Sequence, residues 1–189
     1  MTRIIGGVLG SLRLKGPAKA TRPTSDRVKE SVFSILESLA VLKDAIVIDL
    51  FAGTGALGLE AASRGAAKVT LIERDRDAAA ICKENLEKVR VGLEKAEVSC
   101  ELVFHNKVAE KFVGSPTDAS LVFIDPPYEM TQEKVIEILS VMKSGKDVTI
   151  VLERAGKENL KSLPEGVELV REASYGDTVV YFLTKGASR

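Results

Sequence analysis

Two kinds of apolar spacing alternate along this chain. Short runs rich in apolar and β-branched residues, of the kind buried in a parallel sheet, occur at Ala45–Leu50, Lys68–Glu73, Val98–Phe104, Leu121–Ile124 and Asp147–Glu153. Between them apolar residues return every three or four positions, near Gly55–Arg64, Arg76–Val91, Val108–Val113 and Gln132–Lys143, which predicts helices. An earlier helix should run from a Ser25 cap through about Leu42, with Val28, Val32, Ile35, Leu36 and Leu39 forming one core-facing stripe. The last two runs, Val167–Ala173 and Thr178–Leu183, flank the turn Ser174–Asp177 and predict a β-hairpin. The opening RIIGGVLGSLRL, with glycines among apolar and basic residues, predicts a shorter hairpin, followed by a loop over Gly16–Thr24. Such alternation of strand and helix makes a mostly parallel α/β sheet with helices on both faces.

In an open sheet of this kind ligands bind beyond the carboxyl ends of the strands. Asp49 ends the first strand of the alternating series, Glu73 ends the second, and Asn106 follows the third. Asp125 follows the fourth. The chemistry should therefore gather along one edge.

With 189 residues and 45% hydrophobic content, the chain suits one compact unit with a sizeable core. The longest stretch without charge, Leu50–Leu59, falls well short of the roughly 20 apolar residues that span a bilayer, and MTRIIGG carries no secretory apolar region. A monomeric cytoplasmic protein without membrane contact is expected. Cys82 and Cys100 lack metal-ligand spacing and read as reduced structural thiols, and no metal is expected.

Net charge is zero, yet it is unevenly spread. Residues 1–30 carry seven Lys or Arg against Asp26 and Glu30, a formal +5 that leaves the remainder at −5. A basic arm, residues 1–24, ahead of a catalytic unit, residues 25–189, suggests phosphate contacts concentrated at one end. Arg3, Arg13, Lys15, Arg22 and Arg27 are the candidate nucleic-acid contacts.

Two strings carry the chemistry. In FAGTGALG, Gly53, Gly55 and Gly58 spell the dinucleotide fingerprint G-x-G-x-x-G. A pyrophosphate at a helix N-terminus would then face the Asp49 carboxylate, which suits a cationic ligand better. S-adenosylmethionine, with an ammonium and a sulfonium and no phosphate, fits a loop of Phe51, Ala52, Gly53, Thr54 and Gly55 beside that acid. Glu73, with Arg74 next to it, stands where an acid would hydrogen-bond a ribose hydroxyl in either reading.

The second string, Asp125-Pro126-Pro127-Tyr128, suits an exocyclic amine of a nucleobase, whose lone pair is delocalised until acceptors draw the nitrogen out of the ring plane. The Asp125 carboxylate and the Pro126 carbonyl are two such acceptors, and consecutive prolines stiffen the presentation. Tyr128 offers a face for a flipped base to stack on. Neither a metal nor a covalent nucleophile is required.

Over nearly its whole length the chain resembles the RsmD family, bacterial methyltransferases acting on a guanine N2 of 16S rRNA. The resemblance is carried by RIIGG at Arg3–Gly7, RPTSDRVKESVF at Arg22–Phe33, FAGTGALGLEAASRGA at Phe51–Ala66, IERD at Ile72–Asp75, DPPY, and YGDT at Tyr175–Thr178. It implies the Rossmann-like class I S-adenosylmethionine-dependent fold, with a seven-stranded sheet whose final strand is antiparallel to its neighbours. It also implies methylation of one guanine in 16S rRNA of an assembled or partly assembled small subunit, and an adenine contact at Asn106, where many relatives carry Asp. Tyr175 and Thr178 match a C-terminal element that serves either substrate or turn. Two other readings stay open: amino methylation of adenine N6 or another nucleic acid, and a ribosome assembly factor whose methylation is incidental.

Overall fold

The computed structural model of the chain describes residues 2–16, 26–155, 160 and 162–187. Arg22, the Ser25 cap and most of the expected loop over Gly16–Thr24 lie outside them.

Strands β1 (Thr2–Arg3) and β2 (Arg13–Leu14) pair antiparallel, with a 3-10 turn at Gly7–Leu9 between them. The main sheet comprises β3 (Ile46–Asp49), β4 (Lys68–Ile72), β5 (Glu101–His105), β6 (Leu121–Ile124), β7 (Val148–Ala155), β8 (Val167–Tyr175) and β9 (Thr178–Lys185). Their spatial order is β5-β4-β3-β6-β7-β9-β8. The first five run parallel, and β9 is antiparallel to both β7 and β8.

Helices cover both faces because alternate residues of each strand feed two separate cores. Val47, Val69, Phe123 and Val151 face α1 (Asp26–Ser38), α2 (Ala56–Ser63) and α3 (Arg76–Lys95). Ile48, Ile72, Val122 and Ile150 face α4 (Ala109–Val113) and α5 (Gln132–Val141). No helix among the described residues is long and apolar enough to cross a membrane.

Three expected boundaries move by three residues or more. The first helix ends at Ser38 rather than near Leu42, because Ala40 turns left-handed (φ 54°). Val41 N–H then reaches Leu36 O at 3.3 Å and Ala40 N–H reaches Glu37 O at 2.9 Å, a Schellman closure. Leu39, expected in the buried stripe, falls in this closing turn and is 40% exposed. The strand expected from Val98 begins only at Glu101, since Glu97 is left-handed (φ 56°) and residues 98–100 lead in from that turn. Helix α3 continues through Gly92, against which Leu9 of the N-terminal turn rests.

Within the amino-terminal segment, the described residues 2–16 are not a free arm. Glu60 of α2, fully buried, accepts the backbone N–H groups of Ile5 (2.7 Å) and Gly6 (2.8 Å) and the Arg64 Nε (2.8 Å). The Lys29 ammonium, also buried, sits 3.5 Å from Glu60 and donates to the Arg3 carbonyl. Ser63 Oγ accepts from Leu9 N–H at 3.0 Å and donates to Gly6 O at 2.7 Å. At Gly7 the backbone comes so close that a Cβ would lie 1.9 Å from Ser63 O.

Candidate active site

The turn after β3 and the start of α2 form the floor of a cavity of about 520 Å³, within the roughly 300–1,000 Å³ usual for small-molecule sites. Gly53 is left-handed (φ 54°), and a Cβ there would meet nothing within 4 Å, so the backbone itself is the surface offered to a ligand. Its N–H donates to Glu73 Oε2 at 2.8 Å, and the other Glu73 oxygen accepts Asp75 N–H at 2.7 Å. The two bonds fix the Glu73 carboxylate at the cavity wall, and each oxygen retains acceptor capacity. Gly58 belongs to packing instead: a Cβ there would lie 2.3 Å from a Leu71 methyl.

Asp49 is buried at the end of β3. Its Oδ2 accepts Gly58 N–H at 3.1 Å, while Oδ1 is buried without a hydrogen-bond partner. Burial pushes its carboxyl up to about 7; the backbone N–H groups of Gly58 and, more weakly, Phe51 oppose the shift and the Glu73 charge adds to it. An orphaned acceptor beside a backbone cradle suits an ammonium. The cavity lining carries seven acidic side chains against three basic, Lys29, Arg74 and Lys107. Such a field repels pyrophosphate and attracts a cation, so the residues fit S-adenosylmethionine and not a dinucleotide.

The remaining expected residues divide. Phe51, Ala52, Thr54, Arg74, Asp125, Pro126, Pro127 and Tyr128 join Asp49, Gly53 and Glu73 around the cavity. Tyr128 is 66% exposed, a ring offered to solvent rather than to the core. The loop that carries it closes with Met130 N–H on Pro127 O at 2.8 Å, and buried Arg154 donates to Met130 O at 3.0 Å. Gly55 caps α2 and is buried beneath the loop. Asn106 is not part of the lining; its side chain donates to the carbonyls of Glu73 (2.7 Å) and Arg74 (3.2 Å) and so braces the backbone at the end of β4.

Arg3, Arg13, Lys15 and Arg27 are all exposed. Arg3 pairs with Asp26 at 3.0 Å and Lys15 with Glu84 at 2.7 Å. Tyr175 shares a 2.6 Å hydrogen bond with Ser31 of α1, which makes the YGDT turn a brace. The His105 ring packs against that of Phe112 at a tilt of 40°, with centroids 5.7 Å apart. Both cysteines are free thiols pushed up by burial, Cys100 to about 11.

Sequence reasoning passed over Glu60, Lys29, Asn85 and Glu153. Asn85 is wholly buried in α3; its Oδ1 accepts Lys15 N–H at 2.7 Å, and its Nδ2 donates to Lys15 O (3.0 Å) and Thr54 O (2.9 Å). A polar residue on the same helix face as Cys82, Leu86 and Val89 was the available signal.

Residues 2–184 match the family model described as Conserved hypothetical protein 95. Ribosomal RNA small subunit methyltransferase D of Escherichia coli (strain K12) is 37% identical over 177 residues, covering 92% of this chain and 85% of that relative. This chain belongs to the RsmD family. The protein of the same name from Haemophilus influenzae is 32% identical, with 92% and 89% of the two chains covered. The solved structure of yhhF from Escherichia coli superposes with a TM-score of 0.81 at 32% identity, covering 98% of each chain. The RsmD-family fold described here is that of the class I S-adenosylmethionine-dependent methyltransferases.

Proposed function

We propose that this protein methylates the exocyclic N2 amine of one guanine in 16S rRNA, on an assembled or partly assembled small ribosomal subunit. The observation that carries this reading is the convergence of Asp125-Pro126-Pro127-Tyr128 and the Asp49–Gly53–Glu73 cradle on one cavity in an RsmD-family chain. S-adenosylmethionine, when bound, supplies the methyl group from its sulfonium. Asp49 Oδ1 accepts the ammonium of that cofactor, and Glu73 takes a ribose hydroxyl. Asp125 and the Pro126 carbonyl accept the two N–H bonds of the target amine and draw its lone pair out of conjugation. The nitrogen sheds one proton on gaining carbon, and the Asp125 carboxylate is the acceptor beside it. Tyr128 stacks on the flipped base and offsets part of the unstacking cost, a few kcal/mol.

The exposed Arg3, Arg13, Lys15 and Arg27, together with Arg22, contact RNA phosphates from residues 1–24 and the start of the catalytic unit. The enzyme acts as a monomer in the cytoplasm, where its substrate particle is built. Transfer of labelled methyl to small subunits from a strain lacking the enzyme, with nucleoside mass analysis and naked 16S rRNA alongside, tests the reading. N2-methylguanosine formed on subunits supports it, whereas N6-methyladenosine overturns the base assignment and no transfer overturns the activity.

A further inference from the structure

Glu153 has no role in the chemistry above, yet it stands beside Asp125. The β6–β7 ladder pairs Phe123 with Val151 and Ile124 with Leu152. One step further along the two strands sets Asp125 next to Glu153, on neighbours that run about 4.8 Å apart while paired. Side-chain alternation puts both on the sheet face that carries Phe123 and Val151. Arg154, one residue on, turns to the opposite face, where it holds Met130 O. Both carboxylates line the cavity.

Two acceptors side by side match one nucleobase edge better than another. On guanine the ring N1–H lies next to the N2 amine, so donors sit together. Adenine sets a bare N1 lone pair next to its N6 amine. An ionised carboxylate only accepts, so a second acid beside the amine-holding one attracts the first arrangement and repels the second. We infer that Glu153 accepts the N1–H of the target guanine while Asp125 holds the N2 amine, making the pair a selector for guanine over adenine. This rests on the guanine-N2 reading. It requires one acceptor site of Glu153 turned to the base, and a carboxylate has several.

The test replaces the target guanine of 16S rRNA by 2-aminopurine, which keeps the N2 amine but has a lone pair in place of N1–H, and reconstitutes small subunits with it. The wild-type enzyme should favour guanine in kcat/KM by about 100-fold or more, since a site built around a substrate N–H discriminates strongly against its loss. In Glu153→Gln the carboxamide can donate to the bare N1, and the preference should shrink at least about tenfold. A carboxylate that merely braced the fold would lower both rates alike and leave the ratio, so an unchanged ratio overturns the inference. Comparable wild-type rates on the two bases also overturn it, without needing the variant, and leave the N2 reading intact. Failure of the wild type to form N2-methylguanosine on the guanine subunit would instead be the failure of that reading, and the selector falls with it.

Discussion

Asn85 holds Thr54: the carboxamide of a wholly buried helix residue donates to the carbonyl of the glycine loop at 2.9 Å. The same side chain exchanges two hydrogen bonds with the backbone of Lys15. The amino-terminal hairpin and the cofactor cradle thus share one polar anchor. Replacing it by Ala takes the partner from three part-buried backbone groups, each worth at most on the order of 1–3 kcal/mol because water can reach Lys15. Asn85→Ala should lower the melting temperature and weaken S-adenosylhomocysteine binding roughly tenfold by titration calorimetry. A destabilised variant with native affinity would show that the anchor does not act on the loop.

Cofactor binding should depend on pH through Asp49. Its carboxyl, ordinarily near 3.8, stands at about 7, chiefly because burial disfavours the charge. The raised value means the folded, unliganded protein binds the proton more tightly than the unfolded chain. This contribution to stability is therefore present at low pH and lost as pH rises from about 4 through about 7. An ammonium needs the charged form, so binding below about pH 7 must release a proton. Affinity for S-adenosylhomocysteine should fall by up to about tenfold per pH unit below that point. Calorimetry in buffers of different ionisation enthalpy should register proton release approaching one at pH 6, and Asp49→Asn should abolish it. A flat affinity from pH 5.5 to 8 would contradict the role.

Asp125→Ala should separate chemistry from cofactor binding. Loss of an acceptor at the reacting amine should lower kcat by roughly 10²–10³-fold or more, with S-adenosylhomocysteine affinity within about twofold. Tyr128→Ala should act on the RNA step, at about 1–3 kcal/mol for a stacked base, and Tyr128→Phe should restore it. Native turnover in the Asp125 variant would remove the amine-orienting mechanism.

Glu60 is the residue whose loss should most damage the fold. It satisfies two backbone N–H groups and Arg64 and opposes the buried charge of Lys29, whose ammonium burial already weakens. Breaking such a pair typically costs about 3–5 kcal/mol, which at about 2–4 °C per kcal/mol for this size lowers the melting temperature by roughly 6–20 °C for Glu60→Ala. Lys29→Met in the same chain should recover part of that loss, because the uncompensated charge goes with it. No recovery would mean the cost lies in the backbone contacts instead.

The pattern of the chain revealed the strands, the glycine turn and DPPY because each is local: a buried run, a tight turn, a stiff tetrapeptide. The clamp residues were harder to see. Glu60 meets Ile5 across 55 positions and Asn85 meets Lys15 across 70, so their sequence trace is only a polar residue interrupting an apolar helix face. The end of α1 was obscure because Ala40, not glycine, adopts the left-handed turn. Glu153 was read only as the end of a strand, since its neighbour Asp125 lies on another strand and only the ladder register sets them side by side.

Strand β8 closes the sheet with one row of backbone groups unmatched by any strand among the described residues, and such a row is a template on which a second chain could add. The register slips there between Leu169 and Arg171, leaving Val170 as an extra residue opposite β9. A bulge of that kind twists the rim and spoils its repeat, and the charged Glu168, Arg171 and Glu172 flank it. Two copies approaching rim to rim would find mismatched spacing and fixed charge at Glu168, Arg171 and Glu172, which disfavours the addition of a strand along this border.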